Sequence, residues 1–279
     1  INSVSNPFLD LFFVFVSFFG SPVFWIIVSA LLFWKGEEKK SFYLMNLIVI
    51  GSLLVSFLKI FFKSPRPTTE FEKVKDFLDE NFFVPGNEFS FPSGHATAVS
   101  SAFGFFYKEL KKNSKIIFGL LVFLVLVSRV YLGKHFPIDV VAGLFLGIII
   151  ALALQRFNEW FSNTPARREL GLVIVAVLFV ATVFLFESLA ISALALGYYV
   201  GIFLFKELGF DSTKVSQNAF FGKAFFGLAG LFAVFLVIIG LDLSGAFLGI
   251  VLFFGGLWTT LVFPFLFEII ALKKKTTTK

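Results

Sequence analysis

The chain is a succession of long apolar runs separated by short polar islands. A helix that crosses the hydrocarbon core of a bilayer needs about 20 mostly apolar residues. About nine runs approach that length: Phe8–Trp34, Ser41–Phe62, Ala96–Tyr107 with its flanks, Lys115–Tyr131, Ile138–Phe157, Leu170–Phe186, Leu189–Phe205, Phe220–Leu241 and Leu243–Leu272. The first is long enough to hold a short interfacial helix up to Phe19 and then a span from Gly20. The third is the shortest. The pattern predicts an all-α protein, a polytopic membrane helical bundle of about nine spans. One long polar stretch, Ser64–Ser90, interrupts it. Within that stretch, Phe71, Val74, Phe77 and Leu78 recur at helical spacing across Glu70–Phe83, predicting a short helix on the membrane surface. That helix is either a solvated connector or a substrate lid.

Composition excludes the competing classes. Of 279 residues, 58% are hydrophobic and 15% charged, and the mean hydropathy is +0.91. Soluble domains are nearer half apolar and a quarter charged, so water-soluble globular, disordered, collagenous and disulfide-rich proteins are all excluded. With no cysteine, the chain holds no disulfide, zinc–thiolate site, iron–sulfur cluster or thiol nucleophile. The opening residues INSVSNPFLD lack the cationic start and small-residue cleavage site of a secretory leader, so none is expected. With no initiator Met, the chain is expected to be a trimmed or processed form.

The net charge of +6 is a topology signal rather than a sign of nucleic-acid binding. With alternating spans, 17 of the 24 basic residues fall on one side, in the groups beginning at Lys35, Lys108, Arg156, Lys206 and Lys273. The positive-inside rule makes that side cytoplasmic, leaving the N-terminus outside and the C-terminus in the cytoplasm. Seven basic residues dissent: Lys59, Lys63, Arg66, Lys73, Lys75, Arg129 and Lys134.

Most of the dissenters lie in three polar islands. The first closes the second run, with Lys59 and Arg66 two helical turns apart and Pro65 and Pro67 ending the helix. Taken alone, it reads equally as cations snorkelling from a helix end. The second is Pro92-Ser93-Gly94-His95, where Ser93 stands at an N-cap position and the following helix start offers N–H groups to an anion. Gly94 lets backbone approach a ligand without a Cβ in the way; an ordinary helix start with a chance histidine is the alternative. The third runs from Ser128 and Arg129 through Lys134, His135 and Pro137 to Asp139. It places a carboxylate within reach of an imidazole nitrogen, or else is a capping Asp beside a surface His.

Joined by a loop in one case and by two spans in the other, the three islands belong on the same side of the membrane. They contain both histidines of the chain, with Lys59, Arg66 and Arg129 around them. Three cations, a helix N-terminus and two imidazoles describe a phosphate pocket with a nucleophile and an acid. No carboxylate cluster accompanies them, so no magnesium or zinc site and no cofactor is expected.

Lys59-x6-Arg66-Pro67, Pro92-Ser93-Gly94-His95 and Ser128-Arg129-x5-His135-x3-Asp139 together resemble the three-part signature of the type 2 phosphatidic acid phosphatase (PAP2) superfamily. The resemblance covers residues 1–157 and implies a PAP2-like catalytic transmembrane domain there. It further implies metal-independent phosphoryl transfer in two steps, with His135 as nucleophile, Asp139 orienting it and His95 as acid and then base. Lys59, Arg66, Ser93, the Gly94 amide and Arg129 would hold the phosphate oxygens, with Lys63 and Lys134 as helpers at most.

Residues 158–279 lie beyond the signature and read as a transmembrane extension of about four spans with few buried charges. Glu187 and Asp242 fall in its outer turns, and Gly245-x3-Gly249 with Gly222, Gly227 and Gly230 would let helices pack closely. It reads as extra scaffold or a homodimer surface, with a second active site as the alternative. The expected activity is hydrolysis of a lipid phosphate or isoprenoid diphosphate drawn from the bilayer at the extracytoplasmic face, with no nucleic-acid partner. The alternatives are hydrolysis of a soluble sugar phosphate such as glucose 6-phosphate, and a non-catalytic anion binder or transporter.

Overall fold

The computed structural model describes residues 6–67, 88–161, 190–210, 220–241 and 243–269. The predicted surface helix over Glu70–Phe83, the predicted span Leu170–Phe186, and Glu187 and Asp242 lie outside the described residues.

The described residues form helices: α1 (Pro7–Phe18), α2 (Pro22–Trp34), α3 (Glu38–Phe62), α4 (Gly94–Phe106), α5 (Lys112–Tyr131), α6 (Pro137–Phe161), α7 (Ala190–Glu207), α8 (Phe220–Gly240) and α9 (Gly245–Leu257), the last running on through a π-helical turn, Trp258–Val262. Local sequence explains the ends. Asn6 caps α1, its side chain accepting the Leu9 N–H at 2.9 Å, and Pro7 occupies the first turn, where an absent N–H costs nothing. Beyond α2 the chain turns at Gly36, whose φ of +91° suits a residue without a Cβ.

Six of these helices are long and apolar enough to cross a membrane, and α1 with α2, bent by 48° at their junction, makes a seventh if counted as one broken span. The first predicted run is therefore two short helices meeting at Phe19–Ser21, of 12 and 13 residues. The short third run gives the 13-residue α4, about 20 Å long and too short to span the hydrocarbon alone. Large apolar side chains stand exposed along α5 (Ile116, Ile117, Leu120, Phe123) and α8 (Phe221, Phe225, Phe226, Phe232). Such surfaces are sustainable in lipid rather than in water. The chain is an integral membrane protein.

It divides into two compact units, one of residues 1–26 and 46–164, the other of residues 27–45 and 165–279. In the first, α4 packs on α5 and α6, and α1 on α5. Every position of α4 from His95 to Ala102 is buried, and all but His95 and Val99 are Ala, Ser or Thr, so neighbouring backbones come close. On the facing side of α6, a Cβ at Gly143 would lie 2.5 Å from the Ser93 carbonyl oxygen and one at Gly147 2.4 Å from that of Thr97. These two glycines set the α4–α6 distance.

In the second unit, Ala30, Phe33, Trp34, Phe205 and Phe263 form an apolar core. The expected glycine packing is only partly present. Gly227 and Gly230 face the rings of Trp34 and Trp258 rather than another helix backbone, while a Cβ at Gly222 or Gly245 would meet nothing within 4 Å among the described residues. A charge is buried here too: Lys223 is 3% exposed, its ammonium 4.9 Å above the Phe267 ring.

Candidate active site

The three islands converge in the first unit. Lys59 sits in the last turn of α3 and is buried. The helix ends at Lys63, which adopts φ +47° and is itself exposed, and the chain then runs without helix through Ser64–Pro67. A buried residue that the sequence reading passed over, Ser90, pins this strap. Its N–H donates to the Ser64 carbonyl at 2.8 Å and its hydroxyl to the Pro65 carbonyl at 2.8 Å. Arg66, half-buried, donates from Nη1 to the carbonyl of Lys134 at 3.1 Å, joining the first island to the third.

The second island opens α4 as predicted. Ser93 is its N-cap, accepting the Ala96 N–H at 3.4 Å, and its own N–H donates to the Asp139 carbonyl at 3.0 Å. The start of α4 is thereby tied to the start of α6. Thr97, also passed over, donates from its hydroxyl to the Ser93 carbonyl at 2.9 Å. Among the described residues a Cβ on Gly94 would meet only Val55, at 3.7 Å, so their packing does not demand a glycine there. His95 follows in the first turn, 6% exposed.

In the third island α5 stops at Tyr131 and the chain folds back over its own end, Gly133 taking φ +68°. The amides of Lys134 and His135 both donate to the Arg129 carbonyl, at 3.1 and 3.3 Å, which brings His135 back to a residue six places earlier. Asp139 caps the start of α6, accepting the Phe136 N–H on Oδ2 at 2.8 Å. The same oxygen lies 3.6 Å from His135 Nδ1, just beyond hydrogen-bond distance. Arg129, His135 and Asp139 are 1%, 4% and 1% exposed.

Burial is the largest influence on His135 and pushes its pKa well below the ordinary value of 6.5. The Asp139 carboxylate raises it, while the positive charges of Arg129, Lys59 and Arg66 lower it further. The imidazole is neutral at physiological pH, with a lone pair to offer. Among the described residues no group of three or more His, Asp or Glu side chains is arranged to hold a metal ion.

A model of the PAP2 superfamily matches residues 40–163. Phosphatidylglycerophosphatase B of Bacillus subtilis is 32% identical over 155 residues, covering 51% of this chain and 70% of that protein. The chain belongs to the PAP2 superfamily. Two further relatives are similar. Lipid A 4'-phosphatase of Porphyromonas gingivalis is 29% identical over 161 residues, covering 54% of this chain and 66% of its own length. Dihydrosphingosine 1-phosphate phosphatase of Schizosaccharomyces pombe is 24% identical over 257 residues, covering 84% of this chain and 61% of its own length. The chain thus spans slightly under two thirds of these last two. The fission-yeast match is too long to be confined to the PAP2 region and extends into the second unit.

Proposed function

We propose that this PAP2 protein hydrolyses the phosphate or diphosphate headgroup of a membrane lipid, through a phosphohistidine and without a metal ion. The observation that carries the reading is the cluster itself: one buried, neutral imidazole on which three cations act, backed by a single carboxylate. Such a site suits an anion, and a nucleophile is superfluous to mere binding. The names of the three relatives, each a phosphatase of a lipid, support the substrate class.

In the first step the lone pair of His135 attacks phosphorus while the bond to the leaving oxygen breaks. That oxygen takes its proton from the His95 imidazolium. Asp139 holds the tautomer whose free nitrogen faces phosphorus and stabilises the charge that forms. In the second step neutral His95 accepts a proton from water as the water attacks phosphorus, expelling His135 and leaving inorganic phosphate. Lys59, Arg66, Arg129, Ser93 and the Gly94 N–H bind the phosphate oxygens, including those on which charge concentrates in the transition state. Residues 1–157 supply this domain and 158–279 its extension. Counted over the alternating spans expected from the sequence, the positive-inside rule supports an extracytoplasmic site, since the cations of the site are the minority on that side.

The test is phosphate release by purified protein from diphosphate lipids, lysolipid phosphates and glucose 6-phosphate. Lipid substrates are expected to be preferred, activity to survive EDTA, and His135→Ala to release no phosphate while still binding vanadate. Turnover by that variant at the wild-type rate, or a strict magnesium requirement, would overturn the mechanism.

A further inference from the structure

We infer that the elbow between α1 and α2, which precedes the PAP2-matched region, completes the active site: Ser17 orients the Arg129 guanidinium and Gly20 seats the His95 imidazole. This rests on the roles just proposed for Arg129 and His95, and assigns two positioning residues beyond the signature.

Ser17 is 1% exposed on a helix otherwise almost wholly apolar. Arg129, equally buried and 112 residues away in sequence, donates to its hydroxyl from Nη1 at 2.5 Å. A guanidinium is a rigid plane of five donors, so fixing one corner directs all the others. Attraction between charges would place the guanidinium near a phosphate but would not set that plane. A hydroxyl orients the fork without neutralising it, as a carboxylate in the same place would.

The elbow is tight enough to transmit position. The Gly20 N–H donates to the Ser17 carbonyl at 2.8 Å and the Ser21 N–H to that of Phe18 at 3.0 Å, successive bonds of the short i to i+3 type. Ser17 and Gly20 therefore move as one piece. A Cβ on Gly20 would lie 2.9 Å from His95 Cβ, 3.0 Å from His95 Cδ2 and 2.7 Å from Val125 Cγ1. Val125 is fully buried one turn before Arg129, so the easier displacement is that of the histidine. Cδ2 is bonded to Nε2, and moving one moves the other. The elbow backbone is thus a wall against which the acid–base imidazole rests.

The two halves have separate readouts. Ser17→Ala is expected to weaken inhibition by vanadate about tenfold or more and to slow turnover comparably, the scale of a lost hydrogen bond to a charged group. Ser17→Thr, which keeps the hydroxyl, should restore vanadate inhibition to within about threefold. Gly20→Ala should slow phenyl phosphate about tenfold more than p-nitrophenyl phosphate, because nitrophenolate departs with little need of a proton. Asp10→Asn serves as control, since Asp10 accepts from Tyr131 at 2.8 Å and ties α1 to α5, and it holds no position in the signature. It should stay within about twofold of wild type for both esters. Unchanged vanadate inhibition in Ser17→Ala, equal slowing of both esters by Gly20→Ala, or an Asp10→Asn loss matching that of Ser17→Ala would each overturn the inference. If His135→Ala still turns over, the underlying mechanism fails instead; if it is dead while both elbow variants behave as wild type, only the elbow assignment fails.

Discussion

The two compact units handle buried polarity in different ways. Among the described residues, the second buries one charge, Lys223, and otherwise satisfies its polar groups locally. Ser29 and Ser41 each donate to the other's carbonyl, at 2.9 and 2.5 Å, Thr260 donates to the Tyr198 carbonyl at 2.8 Å, and the Trp34 indole to that of Thr259 at 2.8 Å. Hydroxyls and indoles paired with backbone carbonyls are cheap to bury. The first unit instead buries Lys59, Arg129, Lys134, His95, His135 and Asp139 within a few turns of one another. Placing charge in an apolar setting costs several kcal/mol per group unless it is compensated. On the function proposed above, so many ionisable groups are retained in one place for what they bind. The contrast separates reaction chemistry from packing, and each of the following experiments can break it.

The largest effect is expected at Asp139. Asp139→Asn keeps an oxygen to accept the Phe136 N–H, so the α6 cap survives, but the amide can stabilise neither the required tautomer nor the forming charge. Turnover should fall about a thousandfold or more at unchanged thermal stability. A fall of less than about tenfold would reduce Asp139 to a helix cap. Next is Arg129→Lys, which preserves charge but loses the planar fork. It should cost about tenfold to a hundredfold in turnover, and a full retention of rate would make the site a mere pool of positive potential.

What could be read from the sequence is explained by the range of the forces involved. Helix α3 and helices α5 to α8 follow from runs of apolar residues, with observed ends within a few residues of those expected, and α9 with its continuation reaches from Gly245 to Ile269 against an expected Leu243–Leu272. Ser93, Gly94 and His95, like Arg129, His135 and Asp139, lie in short islands where local geometry, an N-cap or a first-turn proline, already fixes their neighbourhood. Ser17, Gly20, Ser90 and Thr97 were invisible because serine, threonine and glycine are ordinary residues of apolar helices and turns. Only partners brought by the fold give them meaning, such as an arginine 112 positions away for Ser17. The unit boundary was equally hidden. Residues 27–45 belong with the C-terminal stretch, and nothing in their composition differs from the spans around them.

A smaller effect is expected from pH. Because burial holds the folded pKa of His135 below its unfolded value of 6.5, the unfolded chain binds more protons than the native one at acid pH. The stability from keeping this imidazole neutral is fully present above pH 6.5 and declines as pH falls below it. Thermal unfolding in detergent should therefore show a wild-type midpoint that drops between pH 7.5 and about 5, and a shallower drop in His135→Gln. Parallel curves for the two proteins would mean that His135 is not held neutral by the fold.

The smallest effects belong to the second unit, and their order is a sharp test because it follows from donor counting. Ser41 has one hydroxyl hydrogen; given to the Ser29 carbonyl, it leaves the tyrosine as the donor at the 2.5 Å contact between Ser41 Oγ and the Tyr198 oxygen. Tyr198→Phe deletes that donor and leaves Ser41 bonded as before, so it should cost under about 1 kcal/mol. Ser41→Ala deletes the acceptor and leaves the O–H of a fully buried tyrosine only the Ser29 hydroxyl, 3.5 Å away, so it should cost about 1–3 kcal/mol. Neither should change turnover per folded molecule by more than about twofold, whatever it does to stability. If Tyr198→Phe proved the more damaging to stability, the hydrogen bond would run the other way. If either variant lost activity while remaining folded, the second unit would have a part in the chemistry, and the division between a reacting unit and a packed one would no longer hold.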